Sequence, residues 1–122
     1  MMLKHYSPRA SLMFYGDGSP IEDILRQMQT DARIFARSGM RVGILTSDAD
    51  APAFADIPAI TVTLGETMDQ IAAHLFAALR ELDRQQVDVI LARGYGRTGI
   101  GAALWERLLR AAEGEIVRVR KM

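Results

Sequence analysis

Short apolar runs alternate with longer amphipathic segments, and this alternation restricts the fold more than any other feature of the sequence. The runs SLMFY (11–15), MRVGILT (40–46), AITVTL (59–64) and VDVILA (87–92) are strand-like, and EIVRV (115–119) fits a more exposed edge strand. Strands separated by helices favour parallel pairing. The sequence therefore predicts a three-layer, Rossmann-like α/β domain with a mainly parallel five-stranded sheet.

Three amphipathic segments predict the helices of this domain. Ser19 begins an S-x-x-E capping box, Pro20 suits a first helical position, and Gly39 is a typical helix stop. A second helix is predicted within residues 65–85 and a third within residues 102–112, both from apolar residues at helical spacing.

Composition excludes several classes of function. With 15 basic and 15 acidic residues, the chain has no net charge with which to attract nucleic acid or a membrane. The absence of cysteine excludes disulfides, thiolate zinc sites and a cysteine nucleophile. No apolar stretch approaches the ~20 residues that span a bilayer. We expect a cytoplasmic protein with no metal and no cofactor, made of a linker-like arm (1–10) and one domain (11–122).

The segment Gly94–Gly99 (GYGRTG) matches G-x-G-x-x-G and lies between a predicted strand and a predicted helix. Backbone N–H groups at such a helix start can bind an anion. A dinucleotide fingerprint, however, follows the first strand and needs an acid ~20 residues later, where this chain nearly ends. The alternatives are a flexible turn with close helix packing or a phosphate site. The candidate anion ligands are Arg93, Arg97, Gly99, Ile100 and Gly101.

The remaining polar residues favour structural roles. The acidic loop around Asp48 and Asp50 could ligate magnesium through water, but aspartates also initiate turns, which is the favoured interpretation. His74 has no acid or serine one helical turn away. Trp105 is either partly buried or part of a docking face. No paired carboxylates in a cleft and no hydrolase or nucleotide-triphosphate motif occur, so the sequence predicts no catalytic residues.

Several segments, in order, resemble a known family. HYSPRA (5–10) resembles the linker of threonylcarbamoyl-AMP synthases, which follows their YrdC-type catalytic domain. AHLFAALRELD (73–83) resembles A-x-x-L-F-x-x-L-R-x-x-D of the accessory domain in that family. GIGAA (99–103) is similar to its G-[LI]-G-x-A, although Glu106 stands where the family prefers asparagine.

The resemblance implies a non-catalytic accessory domain that supports tRNA threonylcarbamoyladenosine biosynthesis. It implies a YrdC-type catalytic domain as partner, in cis or in trans, with tRNA involved only indirectly. By resemblance, His5 and Tyr6 would face the catalytic cleft, where an imidazole and a phenol can bond a nucleotide. The alternative is an independent domain that binds a nucleotide or phosphate weakly at the carboxyl ends of its strands.

Overall fold

The computed structural model describes residues 8–120 and confirms the α/β class. The strands are β1 (Ser11–Tyr15), β2 (Val42–Thr46), β3 (Ile60–Thr63) and β4 (Val89–Arg93). The helices are α1 (Ile21–Arg37), α2 (Met68–Arg84) and α3 (Ile100–Ala111), and a short 3-10 helix (Ala51–Phe54) lies between β2 and β3. Four of the five predicted strands and all three predicted helices are therefore present.

The strands pair in the order β1-β4-β2-β3, and every pair is parallel. Val89 of β4 lies opposite Ser11 on one side and Val42 on the other. Because parallel strands end at the same edge of a sheet, the loops after β1, β2 and β4 come together there. This carboxyl edge is where open α/β sheets place their binding sites.

Neighbouring residues of each strand pack into opposite layers, as the alternation of side chains in a strand requires. Tyr15 and Ile44 belong to the buried cluster beneath α1. Phe14 and Leu45 belong to the other cluster, which α2 and α3 cover. The sheet is thus covered on both faces, which explains why its strands read as continuous apolar runs.

The predicted fifth strand at residues 115–119 is wrong, and the described sheet has four strands. The segment does run beside β1, where the Val117 N–H donates to the carbonyl of Phe14 at 2.8 Å. Its next anchor is a side chain, since the Val119 N–H donates to Oδ2 of Asp17 at 2.8 Å. One backbone bond and one bond to a side chain therefore hold this segment, instead of the series of backbone bonds expected of a strand.

The predicted capping box at the start of α1 is also wrong. Pro20 has an extended backbone and is itself the N-cap, so Glu22 falls one position too early in the helix to complete the box. A capping box does form at α2, where Gln70 N–H donates to Thr67 Oγ1 and Gln70 Oε1 accepts from the Thr67 N–H, both at 3.1 Å. Within residues 8–120, no helix is both long and apolar enough to cross a membrane.

Candidate functional site

A cleft of about 220 Å³ opens at the carboxyl edge of the sheet, between the loops that follow β1 and β4. It also touches the first turn of α1 through Ile21 and Ile24. Gly16 and Gly94 lie on its walls, together with Arg97 and Trp105. Of the predicted anion ligands, Arg93 and Arg97 line this cleft, whereas Gly99, Ile100 and Gly101 do not. We name it the carboxyl-edge cleft.

Trp105 holds the two loops of the cleft together. Its indole Nε1–H donates to the carbonyl of Gly16 at 3.3 Å, and its ring meets Phe14 edge-on with centroids 5.5 Å apart. A Cβ at Gly16 would lie 2.3 Å from the Phe14 ring, and one at Gly94 would lie 3.2 Å from the indole. The loops carry glycine because these rings occupy the space that a side chain needs.

The glycine-rich loop itself confirms its predicted position between a strand and a helix. Gly96 and Gly99 have φ of 84° and 57°, a conformation that L side chains rarely adopt. A Cβ at Gly101 would lie 2.4 Å from the carbonyl oxygen of Tyr95, so the loop backbone packs directly against the first turn of α3. The glycines thus meet both uses expected of them, the tight turn and the close packing.

Arg93, one of the predicted anion ligands, is engaged in a structural pair. Its Nε donates to Oδ2 of Asp50 at 2.6 Å, and the two side chains are only 12% and 11% exposed. Its Nη1 also donates to the Gly94 carbonyl, and its guanidinium lies 4.1 Å from the centroid of the Tyr95 ring. The acidic loop after β2 therefore supplies an ion-pair partner for Arg93, whereas the sequence predicted that its aspartates initiate turns.

Sequence reasoning missed Tyr95 and Ser47, which extend this pair into a network. The Tyr95 hydroxyl accepts from the N–H of buried Ser47 at 3.2 Å, and Ser47 Oγ accepts from the N–H of Asp50 at the same distance. Burial raises the pKa of the Tyr95 phenol; nearby Arg93 opposes this shift and Asp50 adds to it. The only sequence signal is that polar residues follow both β2 and β4, and their adjacency depends on the strand order.

Arg97 differs from Arg93 in its exposure and in its lack of a carboxylate partner among the described residues. It is exposed, its guanidinium lies 3.9 Å from the centroid of the Trp105 ring, and no carboxylate of the described residues pairs with it. The starts of α1 and α3 beside it lack a side-chain cap, whereas α2 has one. Ile100, at the start of α3, is 39% exposed. A cation and the uncapped start of α1 thus border the cleft, while the start of α3 lies outside its lining.

The other candidate residues lie apart from the cleft. His74 is at the surface, and its Nδ1 lies 2.8 Å from the carbonyl of Leu64. His5 and Tyr6, the residues expected to face a catalytic cleft, lie outside the described residues. In the part of the chain that the structure describes, no three metal-binding side chains lie together.

Fold and cleft define the class first: a three-layer, Rossmann-like α/β domain with its candidate site at the carboxyl edge of a parallel sheet. The family follows from sequence comparison. The profile of the family described as "Threonylcarbamoyl-AMP synthase, C-terminal domain" matches residues 1–113. The chain belongs to this family.

Curated relatives agree with the assignment. The chain is 34% identical to the threonylcarbamoyl-AMP synthase of Pyrococcus abyssi, over 98% of the chain and 33% of the relative. It is 32% identical to that of Bacillus subtilis, over 97% of the chain and 32% of the relative. The chain thus spans about a third of the length of the curated relatives it matches.

Solved structures share the fold. A crystal structure of P. abyssi Sua5 complexed with L-threonine superposes with a TM-score of 0.80 at 34% identity, covering 98% of this chain and 33% of that one. A variant of the same protein, in which a histidine and the following tyrosine are replaced by alanine, gives 0.79 at 32% identity over 94% and 31%. An isolated C-terminal Sua5 domain of Pyrococcus horikoshii gives 0.64 at 26% identity over 83% and 91%.

Proposed function

We propose that this chain is a non-catalytic accessory domain of threonylcarbamoyl-AMP synthase, which docks on or gates a YrdC-type catalytic domain in cis or in trans. The observation that supports this most is the pattern of matches. Nearly the whole chain aligns with about a third of each relative, under a description that names the C-terminal domain. On this proposal residues 1–10 form a linker, residues 11–122 form the accessory domain, and the chemistry belongs to the rest of the synthase.

The contacts of ionisable groups near the cleft support a non-catalytic role. Arg93 is paired with Asp50, and the buried hydroxyl of Tyr15 donates to Oδ2 of Asp31 at 2.7 Å. Burial, with the bond to Asp31 added, raises the pKa of Tyr15 far above its usual range. A general base or nucleophile needs a free position towards the substrate. These groups instead use their polar atoms to join the layers of the domain.

The pair His5-Tyr6 is the proposed contact of the linker with the catalytic cleft. It is the only histidine followed by tyrosine in this sequence, and a relative was crystallised with such a pair replaced by alanine. An imidazole and a phenol offer hydrogen bonds that suit a nucleotide or its pyrophosphate product. On this proposal the domain contributes to tRNA modification through its partner and contacts tRNA only indirectly.

The test combines an activity assay with a binding assay. Purified chain incubated with threonine, bicarbonate and ATP should form no threonylcarbamoyl-AMP by chromatography, and formation of product by the chain alone would refute the non-catalytic role. Calorimetry with the part of P. abyssi synthase that precedes the matched region should detect association, which the His5→Ala/Tyr6→Ala variant should weaken. His74→Ala serves as the control, since this histidine lies on the surface of α2.

The carboxyl-edge cleft supports a second candidate function, the binding of a nucleotide or phosphate. Arg97, which pairs with no carboxylate of the described residues, and the uncapped start of α1 border its 220 Å³. The proposed anion ligands remain Arg97, Gly99, Ile100 and Gly101, with Arg93 supporting the loop. A thermal-shift titration with inorganic phosphate and AMP should raise the melting temperature, and Arg97→Glu should abolish the shift. Arg107→Glu is the control, because Arg107 lies over Phe76 instead.

A further inference from the structure

A second and larger cavity, of about 530 Å³, lies along the outer edge of β1. The segment from Pro8 to Phe14 forms one wall, and the end of α3 with residues 111–117 forms the other. We name it the β1-edge groove. It lies on the opposite side of β1 from β4 and is separate from the carboxyl-edge cleft.

The backbone of β1 offers unused hydrogen-bonding groups to this groove. Alternate residues of a parallel strand direct their N–H and C=O groups to opposite sides. Ser11 donates to the Asp88 carbonyl and Tyr15 accepts from Gly94, so the odd-numbered residues face β4. Leu12 and Phe14 therefore face the groove. The Phe14 carbonyl accepts from Val117, and Phe14 is fully buried. Among the described residues, the Leu12 N–H and carbonyl are therefore left without a backbone partner on the groove side.

The far wall of the groove carries negative charge. Glu113 and Glu115 are both exposed, and neither pairs with a cation of the described residues. Apolar Ile116 and Ala112 lie beside them in the same wall. A complementary segment would be extended, with an apolar side chain for the floor and a lysine or arginine between the two glutamates.

We infer that the β1-edge groove receives an extended, basic segment of the synthase portion that precedes this domain in the relatives. The inference rests on the proposed docking function. About two thirds of each relative lies outside the matched region, and in a C-terminal domain that length enters at the start of β1. Pro8, at this start, lines the groove. The incoming segment lies along the start of β1 and bonds the backbone of Leu12, ahead of Phe14, where residues 115–119 already cover the strand.

Amide exchange on the full chain tests the inference directly. The probe is the part of P. abyssi synthase that precedes the matched region, because added-strand bonds are made by main chain and tolerate sequence differences. On saturation, exchange of the Leu12 amide should slow by about tenfold or more. The amides of Thr61 and Thr63 are the internal control. They face away from β2 at the other edge of the sheet, since Leu64 donates to Thr46.

Charge reversal provides the second measurement. Glu113→Lys/Glu115→Lys should weaken association with the same probe by about tenfold, because it replaces attraction by repulsion. Asp56→Lys/Glu66→Lys makes the same charge change at exposed positions near the ends of β3 and should leave affinity unchanged. Circular dichroism confirms that both variants fold.

The outcomes separate the inference from the proposed function. Association with protection confined to amides outside β1, or with affinity unchanged by the glutamate reversals, overturns the groove and leaves docking intact. A complete lack of association overturns docking and the groove together. Protection of the Leu12 amide together with weaker binding of the glutamate variants supports both.

Discussion

The carboxyl edge of the sheet has two halves that use polar residues in opposite ways. In the half that follows β2, Asp50, Arg93, Tyr95 and Ser47 satisfy one another within the protein. In the half between β1 and β4, glycine backbone and Arg97 face the cleft without a carboxylate. The comparison teaches that charged residues at a typical ligand-binding edge can serve two purposes. In one half they stabilise the fold, and in the other they remain available to a ligand.

The largest expected effect comes from breaking the internally paired half. Asp50→Ala leaves Arg93 nearly buried without its carboxylate, which should lower the free energy of unfolding by about 3 kcal/mol. Urea denaturation followed by circular dichroism measures the change. Asp48→Ala, at an exposed position in the same loop, should change it by less than about 0.5 kcal/mol. Equal effects of the two substitutions would show that the Asp50–Arg93 pair does not stabilise the folded state.

The next effect concerns the packing of the glycine-rich loop against the first turn of α3. Gly101→Ala places a Cβ against the Tyr95 carbonyl, 2.4 Å away, so the loop or α3 must shift. We expect a loss of about 2 kcal/mol of unfolding free energy, typical of overpacking against a rigid neighbour. Ala103→Ser, at an exposed position of the same helix, is the control and should be nearly neutral. An unchanged melting temperature for Gly101→Ala would mean that the loop moves aside freely.

Alkaline pH should destabilise the folded state through the buried phenols of Tyr95 and Tyr15. Because the pKa of folded Tyr95 is raised, the folded state favours the neutral phenol, so stability is full below about pH 10 and falls above it. Each such tyrosine costs up to about 1.4 kcal/mol for each further pH unit. Denaturation at several alkaline pH values should give a shallower slope for Tyr95→Phe than for the wild type. Tyr15→Phe, which removes the other raised phenol, should also flatten it; unaltered slopes in both variants would contradict the assignment.

The smallest effect is expected in the open half. Arg97→Ala removes a cation stacked on Trp105 at an exposed position, which contributes about 0.5 kcal/mol. Arg93→Ala, four residues earlier at the end of β4, should cost several times more. Thermal denaturation of both variants measures the ratio. Destabilisation by Arg97→Ala as large as that by Arg93→Ala would erase the distinction between the halves.

Periodicity in the sequence predicted the three helices and the strands β1 to β4. The helices are amphipathic and the strands are apolar runs, which is what packing of helices on both faces of a sheet requires. The same reasoning failed at residues 115–119, which alternate like a strand but make one backbone bond to β1. It failed at the start of α1, because the extended backbone of Pro20 shifts the helix start by one residue. Both errors depend on single backbone conformations that residue patterns leave open.

The candidate site could be predicted in position but less well in its parts. The loop 94–99 was recognisable because glycine spacing reflects local backbone geometry. Arg93 and Arg97, by contrast, are the same residue type four positions apart. Only the placement of β4 beside β2 gives Arg93 a carboxylate partner and so a different role. The contacts of Asp50 and Tyr95 could not be predicted for the same reason. The Asp50–Arg93 contact spans 43 residues and the Tyr95–Ser47 contact spans 48.

Trp105 gives this domain an optical probe of its own. It is the single tryptophan of the chain, it lies on the wall of the carboxyl-edge cleft, and a guanidinium covers one face of its indole. Any molecule that displaces Arg97 or disturbs the indole bond to the Gly16 carbonyl changes the polarity around the fluorophore. Emission wavelength and quenching by iodide can therefore follow events in the cleft with no label attached.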